Sequence, residues 1–143
     1  MKLQISYYEG EFLTENEQIK EVKEVLMKIL HGIQLRDNDT YKTYVKEDLT
    51  CFEPESQGFQ IDGLDFHLFF GKVIPKPESY HLEIVRPTIR VFSDTAYASY
   101  TLLVSKKQGV DVKISSANET RIFQKEDGIW KMIHFHRSNT KEN

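Results

Sequence analysis

Apolar residues near the start of the chain recur every three or four positions, which is the spacing of an amphipathic helix. Charged residues fill most of the positions between them. The segment Thr14-Glu-Asn-Glu17 just before this pattern is a capping box, with Thr14 as the N-cap. The pattern therefore predicts one long helix, roughly Glu15 to Leu35. Its apolar stripe consists of Ile19, Val22, Leu26, Ile29, Leu30 and Ile33.

Shorter elements follow the long helix. Residues 37–40 form a turn and capping cluster, and the aromatic residues after them have the spacing of a short second helix. Residues 49–52 indicate a brief strand. The apolar cluster at residues 64–70 predicts a third helix, with Asp62 as its candidate N-cap. Two prolines then enforce a loop, because proline can neither continue a helix nor donate a hydrogen bond to a sheet.

The second half of the chain has the composition and turn spacing of long β-strands. The Asp127-Gly128 turn between the last two strands is typical of a tight hairpin. Helices followed by hairpin-connected strands indicate an α+β domain. We expect a cone-shaped fold in which the long N-terminal helix packs on the concave face of a curved antiparallel sheet, with a cavity between them. The four strands are Tyr80 to Phe92, Thr95 to Lys106, Asp111 to Gln124 and Ile129 to His136.

Composition limits the class of protein and its partners. A chain of 143 residues, 39% hydrophobic and 29% charged, fits one globular domain. The formal net charge of -3 offers no basic surplus, so nucleic acid and anionic membranes are disfavoured as partners. The single cysteine, Cys51, has no disulfide partner in the chain and is expected to be a small buried apolar residue. No signal peptide or membrane-spanning apolar run is present, so we predict a cytoplasmic protein.

The last predicted strand carries polar aromatic side chains where a strand usually fills a core. With strict alternation, His134 and His136 share a face with Trp130 and Met132, whereas Phe135 faces the other side. A mixed face of this kind lines either a pocket or a surface that meets another subunit. The residues alone leave both interpretations open.

Two arginines are candidates for binding an anion near this strand. Arg121 lies on the third long strand, and Arg137 closes the fourth. If the hairpin pairs these strands, Arg121 lies a few residues from the position opposite the histidine pair. Two arginines that share a recess with Glu53 or Glu119 would either form salt bridges or bind a carboxylate ligand.

Metal and cofactor sites are not expected. His67, His134 and His136 are conceivable ligands, but a hydrogen-bonded histidine is commoner than a metal-binding one, and the sequence offers no clear partners to orient them. Asp65 and His67 lie two apart on the predicted helix and point to different faces, which makes them a poor acid–base pair. No nucleophile elbow or phosphate-binding glycine loop occurs, so no catalytic residue is predicted.

Five motifs occur in the order and spacing of a known family. They are Phe52-Glu53-Pro54-Glu55, Gly63-Leu64-Asp65-Phe66-His67, Glu119-Thr120-Arg121, Asp127-Gly128-x-Trp130 and His134-Phe135-His136-Arg137-Ser138. By these motifs the chain resembles the association (hub) domain of calcium/calmodulin-dependent protein kinase II, over roughly Glu17 to Ser138. The resemblance implies a nuclear transport factor 2-like fold, in agreement with the cone-shaped architecture.

The resemblance also implies a role in assembly. Domains of that family pair, and the pairs close into stacked rings, typically dodecamers or tetradecamers, that gather kinase domains around a central hub. The chain is therefore expected to be a homo-oligomeric scaffold. The family further implies a deep arginine-bearing cavity that accepts small carboxylates or a regulatory segment of the kinase.

The resemblance carries the cavity residues over position by position. His67, Arg121 and Arg137 occupy matching positions. One position differs, because Leu102 stands where the family has an arginine, and we hypothesise that Arg90 on the neighbouring strand restores the charge. The candidate ligand-binding residues are Tyr41, Glu53, His67, Arg121, His134, His136 and Arg137.

The domain division places an N-terminal segment at residues 1–13, the hub domain at 14–138 and a C-terminal tail at 139–143. No kinase motif is present, so the chain is either a stand-alone hub-like protein or the hub of a longer one. Our main hypothesis is a non-catalytic oligomerisation domain. The alternatives are a small-molecule-binding module and an isomerase- or cyclase-like enzyme, in which His67 or Glu53 is the general base and the arginines bind substrate.

Overall fold

A computed structural model describes the backbone of residues 5–8 and 11–141 and the side chains of residues 13–141. Residues 1–4 and 9–10 of the predicted N-terminal segment and 142–143 of the predicted tail lie outside the described residues. In chain order the elements are β1 (Ile5–Tyr8), β2 (Glu11–Thr14), α1 (Glu15–Leu35), α2 (Asn38–Tyr44), β3 (Val45–Phe52), β4 (Ile61–Asp62), α3 (Asp65–Val73), β5 (Ser79–Phe92), β6 (Thr95–Gln108), β7 (Asp111–Glu126) and β8 (Ile129–Asn139).

The long helix α1 has the predicted bounds, and its capping box is confirmed. The hydroxyl of Thr14 accepts a hydrogen bond from the Glu17 N–H at 3.1 Å, and the Glu17 carboxylate accepts one from the Thr14 N–H at 3.3 Å. The helix ends at Arg36, which adopts a left-handed conformation with φ of 56°. The buried part of its apolar stripe is Val22, Leu26, Ile29 and Leu30.

The main sheet has six strands in the order β4-β3-β8-β7-β6-β5. All neighbouring strands are antiparallel except β3 and β8, which run parallel. The α+β class and the helix packed on a curved sheet are confirmed, and the sheet is mixed where we expected it to be purely antiparallel. The parallel pair joins strands that are far apart in sequence, and local patterns do not encode such a pairing.

Two features of the β7–β8 hairpin determine which side chains reach the interior. Asp127 and Gly128 have φ of 51° and 79°, so both central residues of the predicted tight turn occupy the left-handed region. Farther along, Ile122 pairs with His134 while Phe123 pairs with Met132, which leaves Ile133 as an extra residue. This β-bulge reverses the alternation of side chains along β8.

The core lies between α1 and the concave face of the sheet. Trp130 and Met132 lie before the bulge and Phe135 after it, and all three are buried in this core. Helix α3 begins without a side-chain cap, so the prediction that Asp62 caps it is wrong. Asp62 instead lies in β4, where it pairs with Thr50 of β3. None of the helices in the described part of the chain combines the length and apolarity needed to cross a membrane.

Candidate functional site

A cavity of about 350 Å³ opens between the helices and the sheet. The end of α1, together with α2 and α3, forms one wall, and strands β6, β7 and β8 form the other. Such a concave, partly polar recess is the usual form of a small-molecule site. Five of the seven predicted ligand-binding residues line it: Tyr41, Glu53, His67, Arg121 and Arg137.

The other two predicted residues, His134 and His136, lie on the opposite face of the sheet, where they border a more open depression. The prediction that they line the cavity is therefore wrong. The bulge at Ile133 is the physical reason, because it turns Phe135 and Arg137 toward the cavity and the two histidines outward. Nδ1 of His134 lies 2.7 Å from the hydroxyl of Thr50. Burial, followed by the charge of His136, lowers the pKa of His134.

Arg121 is fixed at the floor of the cavity by two neighbours. Its Nε and Nη2 donate to Oε1 of Glu119 at 3.1 and 3.0 Å, and Nε also donates to the hydroxyl of Tyr100 at 2.9 Å. That hydroxyl donates in turn to Oε1 of Glu119 at 2.6 Å. Burial opposes the charge of Arg121, but the Glu119 carboxylate raises its pKa above the usual value. Burial also raises the pKa of Tyr100, so its hydroxyl stays a donor.

The remaining contacts of Arg121 are weaker. Its Nη1 donates to the sulfur of Met132 at 3.3 Å, and thioether sulfur is a poor acceptor. The guanidinium carbon lies 4.4 Å from the centroid of the Phe135 ring, a cation–π contact. One end of the guanidinium is thus satisfied by a carboxylate, whereas the other has only weak acceptors.

Arg137 links the cavity floor to its rim. Its Nη1 donates to both carboxylate oxygens of Glu55, at 2.5 and 2.7 Å, and its Nε lies 3.4 Å from Oε2 of Glu119. The side chain of Arg137 keeps 25% of its exposure, so it borders solvent while Arg121 is enclosed. The two predicted arginines therefore meet in one recess and share Glu119.

The charges that line the cavity are balanced. The basic residues are Arg36, Lys106, Arg121 and Arg137, and the acidic ones are Asp37, Glu53, Glu55 and Glu119. Leu102 lines the wall at the position where we noted the missing arginine. The hypothesis that Arg90 replaces that charge is wrong, because Arg90 is exposed, outside the cavity, and lies over the ring of Phe92.

Three buried polar atoms around the cavity lack a partner. Among the described residues, these atoms are Oε1 of Gln34, the hydroxyl of Tyr41 and Nδ1 of His67, and all three residues line the cavity. A buried polar atom without a hydrogen bond is costly, so unpaired atoms of this kind indicate a place for a polar ligand or water. Burial raises the pKa of Tyr41, which keeps its hydroxyl protonated.

His67 and Glu53 form a close pair beside a thiol. Nε2 of His67 lies 3.0 Å from Oε1 of Glu53 and 3.9 Å from Sγ of Cys51. The sequence analysis assigned Glu53 and His67 to the cavity but did not place Cys51 beside them. It also did not identify Tyr100, whose hydroxyl accepts a hydrogen bond from Arg121, or Gln34, which lines the cavity. For Tyr100 a signal existed, since alternation on β6 and β7 places it on the same face as Glu119.

Comparison with known proteins extends over most of the chain. Residues 18–141 match the family described as the calcium/calmodulin dependent protein kinase II association domain. The delta subunit of calcium/calmodulin-dependent protein kinase type II from Oryctolagus cuniculus is 33% identical over 134 residues, which cover 88% of this chain and 25% of that protein. The chain therefore spans about a quarter of the length of this curated relative.

Solved structures agree with this match. The association domain of CaMKII from C. elegans superimposes with a TM-score of 0.81 at 28% identity, over 87% of this chain and 98% of that one. A nuclear transport factor 2-like protein from Salmonella enterica superimposes with a TM-score of 0.70 at 19% identity, over 87% and 92% of the two chains. At that identity the second likeness shows the fold alone, which is nuclear transport factor 2-like.

Proposed function

Because this chain belongs to the family of calcium/calmodulin-dependent protein kinase II association domains, we propose that it is a non-catalytic, self-associating hub. In this proposal copies of the domain pair, and the pairs close into stacked rings of the dodecamer or tetradecamer type. The hub domain corresponds to residues 14–138, and residues 1–13 and 139–143 flank it. Kinase domains, carried on the same chain or recruited by it, would be gathered around such a ring.

One structural observation carries this proposal, the exposed apolar surface on the outer face of the sheet. Leu102 faces the cavity, so Leu103 points outward, and the register of β6 and β7 places Val112 and Ile114 on that same outer face. These three side chains are 38%, 65% and 71% exposed. Contiguous exposed apolar residues are typical of protein–protein contact surfaces, and a second copy of the domain would bury them.

Light scattering across a dilution series tests the assembly. We expect a mass of many times 16.8 kDa that persists on dilution. Ile114→Lys should lower that mass, because it places a charge in the buried contact. Lys113→Glu is the matched control, since residue 113 lies on the same strand but on the opposite face, and it should keep the assembly. A wild-type chain that is monomeric or dimeric at every concentration would contradict the ring proposal.

A second function is favoured by the unpaired polar atoms of the cavity. We propose that the cavity binds a small carboxylate, or a carboxylate side chain of a regulatory segment, at the weakly satisfied end of Arg121 and at Arg137. The hydroxyl of Tyr41 would then donate to a polar group of the same ligand. Binding of this kind requires no turnover and is compatible with a scaffold.

Thermal unfolding with a series of small carboxylates tests this second function. A ligand that binds the folded state raises the midpoint of unfolding with its concentration. Arg137→Gln and Tyr41→Phe should each reduce the shift, whereas Arg90→Gln, outside the cavity, should leave it unchanged. If no carboxylate shifts the midpoint of the wild-type chain, the ligand-binding proposal fails while the assembly proposal stands.

A further inference from the structure

Three side chains with metal-binding atoms converge beside the cavity, and two of them, Glu53 and His67, line it. Cys51 and Glu53 lie two residues apart at the end of β3, so strand alternation places both on the same side. His67 approaches from the first turn of α3. Its Nε2 lies 3.0 Å from Oε1 of Glu53 and 3.9 Å from Sγ of Cys51. The three donor atoms all lie within 4.8 Å of one another.

We propose that Cys51, Glu53 and His67 form a binding site for Zn²⁺, with a fourth coordination position open to the cavity. Zinc prefers thiolate, imidazole and carboxylate ligands in a tetrahedron, and its bond lengths imply donor separations of about 3.4 to 3.6 Å. The separations of 3.0 and 3.9 Å from Nε2 of His67 lie on either side of this range. Shifts of about 0.5 Å in each of these two separations would bring Nε2 of His67 to zinc-binding distances from Cys51 and Glu53.

The environment of Glu53 supports a cation at this place. The residue is only 8% exposed, and His67 is the one side chain in the described part of the chain that hydrogen-bonds its carboxylate. Buried charges persist in proteins when they are paired or bound to a metal. Zn²⁺ would displace the proton of the Cys51 thiol to solvent, and the resulting thiolate and the Glu53 carboxylate would neutralise its charge while His67 binds as a neutral imidazole.

The surroundings hold the ligands without competing for the metal. The ring of His67 packs among three aromatic rings, those of Tyr41, Phe66 and Phe135, with centroids 5.4 to 5.6 Å away. This packing fixes the direction of the imidazole. Arg121 is close enough for its positive charge to interact electrostatically with Cys51. Glu119 already balances that positive charge through a salt bridge of 3.0 Å.

The donor set selects among metals. Mg²⁺ and Ca²⁺ require several oxygen ligands, and this cluster offers one carboxylate. Thiolate and imidazole favour Zn²⁺ and its spectroscopic substitute Co²⁺. Three protein ligands with an open position also differ from the closed four-ligand pattern of purely structural zinc sites. The fourth position would hold water or a ligand bound in the cavity.

Cobalt substitution tests the site on the intact, untagged chain. Cys51 is the only cysteine in the sequence, so any thiolate-to-cobalt charge-transfer absorption in the wild-type protein must come from it. We expect this absorption to saturate at one equivalent of Co²⁺ and to disappear when Zn²⁺ is added. We also expect Mg²⁺ to leave it unchanged. Because this readout needs no substitution, it remains valid if a variant fails to fold.

Variants then assign the ligands. Cys51→Ala and His67→Gln should each weaken Zn²⁺ binding by more than the 10- to 100-fold that is typical for loss of a group that only orients a ligand. His81→Gln is the matched control, because His81 and Glu83 form an exposed histidine–glutamate pair 3.0 Å apart elsewhere on the sheet. Absence of the charge-transfer band in folded wild-type protein, or equal Zn²⁺ affinity of wild type and Cys51→Ala, would overturn the proposal.

Discussion

Arg121 and Glu119 lie two residues apart on β7 and form a salt bridge in which both side chains are almost fully buried, at 2% and 1% exposure. Both Nε and Nη2 of Arg121 donate to a single oxygen, Oε1 of Glu119. The protein therefore supplies the first counterion of its own buried cation. A carboxylate ligand in the cavity would have to reach the other end of the guanidinium, which faces Met132 and Phe135.

We predict that Glu119→Gln lowers the free energy of unfolding by about 3–5 kcal/mol, because it leaves Arg121 charged and buried without its carboxylate. The urea midpoint at a fixed protein concentration measures this loss. Glu126→Gln is the control, since the Glu126–Lys46 pair is 49% and 27% exposed and should contribute less. A midpoint shift for Glu119→Gln no larger than that of the control would show that the buried pair contributes no more than a surface pair.

We predict that Leu102→Arg increases the affinity of the cavity for small carboxylates. The acidic and basic residues of the wall are equal in number, so one added cation at residue 102 makes the recess electropositive. Isothermal titration with a carboxylate series measures the change, and Leu102→Met, which keeps the wall apolar, should bind as the wild type does. Unchanged affinity in a folded Leu102→Arg protein would contradict a charge-controlled cavity.

We predict that the thiol of Cys51 reacts slowly in the folded protein. Burial, with the neighbouring charge of Glu53, raises its pKa to about 12 from a usual value near 9.0. At pH 8 this shift alone lowers the thiolate fraction about 1000-fold relative to an unfolded chain. Alkylation by iodoacetamide, with a chelator present, compares the folded protein with the same chain in urea.

The raised pKa of Cys51 also predicts the direction in which stability changes with pH. Below pH 9.0 the thiol is protonated in both states, and between pH 9.0 and about 12 the unfolded chain releases the proton that the folded chain retains. The stability of the metal-free protein should therefore fall as pH rises through this range, and Cys51→Ala should remove that part of the fall. Rapid alkylation of the folded protein at pH 8 would contradict the raised pKa.

We predict that His134 makes the fold sensitive to mild acid. Burial and the charge of His136 lower its pKa below 6.5, so the unfolded chain takes up the proton more readily than the folded one. The stability associated with neutral His134 is present above pH 6.5 and is lost as pH falls through the lower folded-state pKa. The groups that face the ring are His136, Phe52 and the hydroxyl of Thr50.

Urea midpoints measured from neutral to mildly acidic pH test this sensitivity. His134→Gln should flatten the profile, and His81→Gln, at an exposed position, should leave it as in the wild type. A profile that is the same in both variants would show that other groups cause the acid sensitivity.

Local chemistry was sufficient to predict much of this fold from the sequence. Thr14 and Glu17 fix the start of α1 through hydrogen bonds that span three residues, and Asp127 and Gly128 fix the last hairpin through their own backbone preferences. Such signals lie within a few residues of the structure they determine. The four long strands follow from the same reasoning, and the hairpin between the last two brings Arg121 and Arg137 to the same cavity.

The errors arose where the structure depends on partners distant in sequence. Residues 130–136 give no local sign of a bulge, because the shift at Ile133 is set by the pairing with β7. The parallel pairing of β3 with β8 likewise has no local pattern, yet it places Cys51 beside Phe135, whose ring packs against that of His67. The cluster of Cys51, Glu53 and His67 could therefore not be found by spacing alone.

The bulge also decides which of two sets of side chains on β8 lines the recess. If β8 ran through Ile133 in strict alternation, without the bulge, every side chain after that residue would exchange the inner and outer faces of the sheet. Phe135 and Arg137 would leave the recess, and His134 and His136 would enter it. A one-residue shift in the pairing of β7 with β8 therefore separates two versions of this sheet, one with a cationic interior and one with an imidazole-lined interior, although both have the same amino-acid sequence.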